Sequence, residues 1–465
     1  MTGSFEAHSA GDILSEFKRS RSGLAGLSIL VVLILMSVYA LAVIPLKSFT
    51  QWNNPNYWIE QPQSAMPRWV NLLGLREPEH LSMTANEAEI SSVVDNGVRI
   101  ENHTYTFNFD FDSYPSDFMV TYSAKYGETQ PAVQINVIRP DGNEFQIYFA
   151  SLPPSQNSSN NEYSARIFST DRLIIDSLED YRYLFSYPVD ATRPQVMIFS
   201  DSEQNKVLKG TYKITIAFYV FDPADTIVDS GVVLGGKVYG IMGTDDLRRD
   251  LAIGLLWGAP VALFIGLTVS GAAIFIGLLY GIIAGYKGKR TDEGLMRVND
   301  VFYSLPTLPL LVILSVTIGR SIFLITGFLV IFGWVGMAKI SRSLTLQLKS
   351  LQYIEAAKLM GMSDTKIIFK HIIPQLLPLT FASIAIAVPS AILSEAALSF
   401  LGLGDPSIPT WGQILHQAYT AGAMPRGLWW WMAPPGIMIA MTGLAFVLIG
   451  NALDSIVNVR ARWSK

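Results

Sequence analysis

The residues that could do chemistry fall in three places. Residues 353–378 form a polar stretch between long apolar runs and carry Glu355, Asp364, Lys370 and His371. Taken alone, Glu355 is a solvated carboxylate near a helix N-terminus, where the dipole favours it. Glu395 lies inside an apolar run. An ionisable group at membrane depth is costly, so it reads either as a pathway or gate residue or as a structural hydrogen bond to a neighbouring helix. Residues 231–237 nearly spell a phosphate loop, but Val238 stands where Ser or Thr must bind magnesium, which rejects a nucleotide site. With no cysteine and five scattered histidines, no metal site and no disulfide framework is expected. No catalytic residue is named, and the net charge of −4 gives no basic surface for nucleic acid.

The polar stretch reads as a helix over about residues 352–360, a sharp turn and a second short helix. Gly361 is placed as the left-handed residue that ends the first helix. Ser363 is placed as an N-cap, with Asp364 in the first turn. Lys370 and His371 fall in the last turn, and Pro374 stops or kinks the second helix.

The elements around these residues follow from hydropathy and charge. Half of the residues are hydrophobic, which in a chain of 465 residues points to membrane spans. Residues 51–230 hold 24 acidic and 12 basic side chains, leaving 14 and 22 elsewhere, a split that places the two parts on different sides of a membrane. Residues 1–22 form a polar N-terminal segment. Residues 23–46 are a first span with Lys18, Arg19 and Arg21 holding its start inside; the run is long for a signal peptide. Five more spans are expected within residues 236–465, and the third span of the chain (299–318) is broken by Pro306 and Pro309. Lys287, Lys289, Arg290, Lys339, Arg342, Arg460, Arg462 and Lys465 then mark inner loops and an inner C-terminus. Arg297 and Asp300, three apart on one helix, are expected to pair. Trp429-Trp430-Trp431 reads as an interfacial anchor, or functionally as a vestibule lining.

Residues 47–235 alternate instead. Residues 104–111 and 212–220 have the period of half-buried strands, and residues 133–149 read as a hairpin around Pro140-Asp141-Gly142. Short strands with polar punctuation predict an all-β, sandwich-like domain, inserted on the extracellular side. Asn102 and Asn157 head N-glycosylation sequons, which matter only if that side is outside.

Several ordered motifs carry a resemblance. Glu355-Ala356-Ala357, Gly361 and Ile372-Ile373-Pro374 look like the EAA coupling loop (350–374) of ABC-importer permeases, with Ile373 where the family often has Leu. Gly243-Thr244-Asp245 with Arg249-Asp250, Ala284-Gly285-Tyr286, residues 395–404 and Pro409-Thr410-Trp411-Gly412 resemble the dipeptide/oligopeptide permease family. The resemblance covers the first span and everything from about Gly240 on. The large insert between them is a departure from the common bacterial permeases.

This resemblance implies a type I ABC-importer permease fold of six transmembrane helices in the plasma membrane, with both termini cytoplasmic. It implies a second homologous permease subunit, two ATPase subunits that hold the ATP and magnesium, and an extracellular solute-binding protein. The cargo is a peptide or an oligosaccharide, and this chain needs no cofactor of its own. Glu355, Ala356, Ala357, Gly361 and Asp364 would couple to the ATPase. Two other classes remain as alternatives: a membrane-anchored receptor or adhesin displaying the β-domain, and a secondary transporter, which the lack of an inverted repeat disfavours.

Overall fold

The computed structural model describes residues 16–154 and 162–463. The sequon at Asn157 lies outside the described residues, as do the side chains of Arg460, Arg462 and Lys465. The chain divides into two compact units, one made of Met1–Asn53 with Ile253–Lys465, the other of Asn54–Ala252.

Apolar runs make the first unit. Its helices are α1 (Arg21–Val43), α2 (Leu251–Lys287), α3 (Lys289–Ser304), α4 (Thr307–Ile318), α5 (Ile322–Gly333), α6 (Val335–Lys349), α7 (Gln352–Leu359), α8 (Asp364–Ile367), α9 (Ile373–Phe400), α10 (Trp411–Thr420) and α11 (Trp429–Trp463). At 1.5 Å per residue, about 20 residues cross a ~30 Å hydrocarbon core. Among the described residues, five helices are long and apolar enough: Arg21–Val43, Leu251–Lys287, Ile322–Lys349, Asp364–Phe400 and Trp429–Ile456. The expected third span takes another form. There α3 and α4 meet at 77°, and only if this bent pair counts as one span do the spans number six. The cause is Pro306, which holds Leu305 in an extended conformation between the two helices.

Small residues let these helices touch. Gly277, Gly281 and Gly285 recur at every fourth position of α2 and face α6. A Cβ at Gly281 would stand 2.0 Å from Ser341 Oγ and 2.2 Å from the Ala338 carbonyl. Ser341 Oγ donates to the Gly277 carbonyl at 3.0 Å, a polar tie that close approach permits. Likewise Gly26 of α1 lies against the Ala445 carbonyl of α11. Arg342 of α6 donates twice to Asp292 of α3, at 2.5 and 2.6 Å, in the fork geometry that suits guanidinium and carboxylate. The expected Arg297–Asp300 pair is absent. Arg297 approaches Glu293 one turn back at 4.0 Å, and Asp300 takes Lys339 of α6 at 2.9 Å. A cation arriving from the facing helix displaces the same-helix partner.

The second unit is a pair of antiparallel sheets. Its strands are β1 (Leu81–Thr84), β2 (Glu89–Asp95), β3 (Val98–Phe109), β4 (Asp117–Lys125), β5 (Ala132–Ile138), β6 (Glu144–Ser151), β7 (Glu162–Phe168), β8 (Gly210–Val220) and β9 (Thr226–Gly235). The orders are β1-β9-β4-β7 and β2-β3-β8-β5-β6. Alternate residues of the two sheets meet in one core, with Tyr105, Ile135 and Ile216 facing Val120, Tyr122 and Val232. Gly142, at φ +85°, turns the β5–β6 hairpin, and its amide donates to the Arg139 carbonyl. This unit does not end near residue 235 as the sequence suggested. Residues 236–252 stay with it because they pair with residues 61–68. Met66 N donates to Lys237 O (2.7 Å), Tyr239 N to Met66 O (2.8 Å) and Thr244 N to Ala65 O (2.9 Å).

His80 sits at this junction, edge-on to Tyr239. Burial pulls its pKa down to about 4, Arg248 adds to the effect and Asp117 opposes it. The folded unit therefore holds His80 neutral, while the unfolded chain takes up a proton near pH 6.5. The stability from this group is whole above pH 6.5 and drains away as pH falls towards 4, by up to ~3 kcal/mol. Urea midpoints of the β-unit between pH 7.5 and 4.5 should show this fall, and His80→Gln should flatten it. Equal slopes in both proteins would assign the acid sensitivity to other groups.

Candidate functional site

The polar knob between α6 and α9 is the site with the clearest build. Helix α7 ends at Leu359, and Gly361 follows at φ +80°. Two backbone bonds close the end, Gly361 N to Lys358 O (3.0 Å) and Met362 N to Ala357 O (3.1 Å). This crossed pair defines a Schellman cap, which needs a left-handed residue at Gly361. No atom lies within 4 Å of where a Gly361 Cβ would be, so conformation and not space selects glycine there. Ser363 occupies the N-cap position of α8 without a side-chain bond, its carbonyl accepting from Ile367 N.

One face of the knob is packed and the other bare. Ile354, Ile367 and Ile372 are buried with Leu278 and Ile282 of α2, and Ala357 is buried too. Glu355 and Ala356 are exposed. At the tip, Leu359 is 89 % exposed and Met360 79 %. The expected pair of small residues thus divides. Ala356 lies on the open surface, whereas Ala357 allows α7 to approach its own chain. Asp364 is not a free acceptor either, since Tyr286 Oη at the end of α2 donates to it at 2.9 Å. Lys349 also donates to the Tyr286 carbonyl and lies 5.4 Å from that ring. The knob is thereby fixed to two long helices.

Pro374 does not stop the second helix. A π-helical turn over Ile368–Ile372 precedes it, and Pro374 falls in the first turn of α9, where a missing N–H costs little. The helical run Asp364–Phe400 consequently leads from the knob without a break.

Near the other end of that run, Glu395 is buried and accepts from Ser399 Oγ at 2.6 Å. The Thr410 hydroxyl caps α10 by accepting from Gln413 N. Gly402, at φ +77°, ends α9 with the same crossed pair of bonds, Gly402 N to Ser399 O and Leu403 N to Leu398 O. Gly412 fits where a Cβ would meet Ala396 O at 2.7 Å, and Trp411 Nε1 donates to Leu255 O. These contacts gather the end of α9 and the segment leading to α10 around the buried Glu395.

The segment 243–250 folds as a compact turn inside the β-unit. Asp245 and Arg249 are fully buried and paired at 2.6 Å, and Asp245 also accepts the amides of Leu247 and Arg249. Of the three tryptophans, Trp429 is exposed but Trp430 and Trp431 are buried, so at most one can serve an interface. The sequence shows the preference of indole, not which face of the helix packs. Asn102 lies in mid-β3 between β2 and β8 and is half-buried.

Sequence reasoning missed one cluster. Ser230 Oγ lies 2.6 Å from His103 Nδ1, and His103 Nε2 3.0 Å from Glu101 Oε1. The order of groups is that of a nucleophilic triad, yet Ser230 is buried and shared with Tyr105 Oη at 2.6 Å. It ties β3 of one sheet to β9 of the other and offers no substrate access. Because its members are 127 residues apart, only the packed sheets reveal it.

Long apolar helices joined through a polar helix–turn–helix knob define an integral membrane protein. The model of the binding-protein-dependent transport system inner membrane component matches residues 277–463, and the chain belongs to that family. It is 34 % identical over 221 residues to the oligopeptide transport system permease protein OppC of Bacillus subtilis (strain 168), covering 47 % of this chain and 72 % of that one. The dipeptide transport system permease protein DppC of the same organism is 35 % identical, covering 47 % and 68 %. The OppC protein of Haemophilus influenzae is 33 % identical over 255 residues, covering 54 % and 80 %. A solved MetNI methionine ABC transporter aligns over 44 % of this chain and 95 % of that one, at 19 % identity and a TM-score of 0.36, too loose to bear on the argument. The chain is a multi-pass permease subunit of an ABC importer, a transport component and not an enzyme. Family membership favours neither the receptor nor the secondary transporter.

Proposed function

We propose that this subunit forms half of a translocation path for short peptides, and that the knob is where an ATPase subunit docks. One observation carries the docking: two large apolar side chains, Leu359 and Met360, stand bare at the tip of a knob capped and fastened on its other face. Apolar surface held in water is worth roughly 25 cal/mol per Å2 when covered. A groove that receives the tip gains that energy, and Glu355 beside it offers a partner to a cation on the rim. Ala356 keeps the helix slim on the same surface, Gly361 sets the angle and Asp364 ties it to α2.

The full assembly has a second homologous permease, two ATPases that bind ATP and magnesium, and an extracellular solute-binding protein. Closure of the ATPases moves the knob as a body and alternates access to a central path, driven by the difference in ATP affinity between the two states. Peptide cargo is preferred to oligosaccharide because the relatives' names specify peptides. In this reading the bent pair α3–α4 completes six spans, both termini and the knob are cytoplasmic, and the β-unit is extracellular.

Uptake of labelled tri- to pentapeptides by cells expressing the whole transporter tests the cargo. Sugar uptake alone would overturn it. Co-purification should recover the ATPases with the parent chain and lose them with Leu359→Glu. Orientation has its own check, aided by a cysteine-free chain. Cysteine at exposed Thr129 should react with an impermeant thiol reagent on intact cells, and cysteine at Ser363 only after permeabilisation. The opposite pattern would reverse the topology.

A further inference from the structure

We propose that the outer face of the five-stranded sheet binds a neutral saccharide. The inference uses the β-unit alone and does not depend on the transported cargo. A shallow hollow of about 380 Å3 lies on that face, lined by Ala132, Gln134, Gln146, Phe149, Tyr219 and Phe221. Its volume is within the ~300–1,000 Å3 range of small-molecule sites.

Strand register builds it. His103, Tyr105, Ile135 and Ile216 point into the core, so their neighbours point out. On the outer side Tyr219 stands opposite Ala132, and Gln134 opposite Phe149. One row further, Thr104, Thr215, Asn136 and Gln146 align across four strands. Two rings are left bare, Phe149 at 52 % and Phe221 at 45 % exposure. Phe149 meets Tyr219 edge-on with centroids 6.3 Å apart. The amides are held in place: Tyr219 Oη donates to Gln134 Oε1 (2.8 Å), and Gln134 Nε2 donates to Asn136 Oδ1 (2.9 Å).

The chemistry of the face selects its occupant. None of the six lining residues is charged, in a segment with 24 carboxylates across residues 51–230. A peptide with charged ends would find no counter-charge in the hollow. A protein surface with an apolar centre would bury the amides and hydroxyls without repaying their hydrogen bonds. A sugar ring has an apolar C–H face for the exposed rings and hydroxyls that both donate and accept, as carboxamides do. The hollow takes one ring, and its open rim lets an oligosaccharide run on along the row of Thr and Asn side chains.

Saturation-transfer NMR on the full chain in nanodiscs is the test, with maltotriose, cellotriose and chitotriose as probes and the neutral capped tripeptide Ser-Ala-Asn as competitor. At least one sugar should bind. Phe149→Ala and Gln146→Ala, both at exposed positions, should each weaken it about tenfold or more, a change of ~1.4 kcal/mol. Tyr183→Ala, which removes an exposed ring elsewhere on the unit, should leave binding unchanged. No transfer to any of the three sugars overturns the proposal. So does displacement by the tripeptide, or equal loss in the Tyr183 variant.

Discussion

With valine in place of Gly361, ATP-driven uptake is expected to fall to about a tenth or less of the parental rate, the equivalent of ~1.4 kcal/mol or more in the driven step. The residue stands at φ +80°. A β-branched side chain there costs roughly 1–2 kcal/mol in backbone strain, which the chain relieves by leaving the left-handed region. Leaving it breaks the Met362 N to Ala357 O bond and swings Leu359 and Met360 away from their present aim. Nothing near Gly361 is crowded, so membrane insertion and the packed face of the knob should survive. Gly361→Asn, which tolerates the left-handed region, should recover most of the rate. Glu355→Lys probes the same surface without touching the backbone. Reversing an exposed charge in the first turn of α7 costs the helix ~0.3–1 kcal/mol, so a large loss of uptake would have to arise at a partner. Radiolabelled uptake at matched membrane levels decides the matter. Normal rates in Gly361→Val and Glu355→Lys together would remove the coupling role from the knob.

Gly281→Leu should act earlier, by denying α2 its place against α6. The first added carbon alone would lie 2.0 Å from Ser341 Oγ and 2.2 Å from a backbone carbonyl, and the carbonyl cannot rotate away. Overpacking of a tight contact costs ~1–3 kcal/mol, and helix separation would also strip the Ser341 bond to Gly277. The expected result is a loss of most monodisperse protein after detergent extraction and a sharp fall in its melting temperature. Gly294→Leu on α3 is the control, since nothing lies within 4 Å of a Cβ there. Comparable behaviour of the two variants would mean that α2 and α6 do not depend on this contact.

What could be read from the sequence was what one-dimensional physics decides. Apolar runs gave long helices, and period-2 segments gave strands such as β3 and β8, because burial on one side imposes that spacing. Gly361 was legible because a left-handed helix end is a local demand. The failures share a cause, a partner that is distant in sequence. Pro374 looks like a terminator until the π-turn before it is seen. Ala357 looks like a docking residue until the register of α7 turns it inward. Arg297 and Asp300 pair only if Lys339 is unknown. Gly277, Gly281 and Gly285 carry a readable spacing, but only the last falls within a family motif. Glu395 keeps two readings in one dimension, because the surroundings that bury it come from segments distant in sequence.

The pairing of residues 61–68 with 236–250 has an evolutionary reading. The strands β1 to β9 leave and re-enter between two segments that hold each other, with Glu79 and Met66 both bridged to Val238 and Arg248 bonded to the Gln61 carbonyl. Such a double-stranded stem makes the β-sandwich a cassette. Its outer loops can change in length while the stem stays zipped, but the residues that meet the stem, His80 against Tyr239 and Asp117 against Arg248, bind the sandwich to its root.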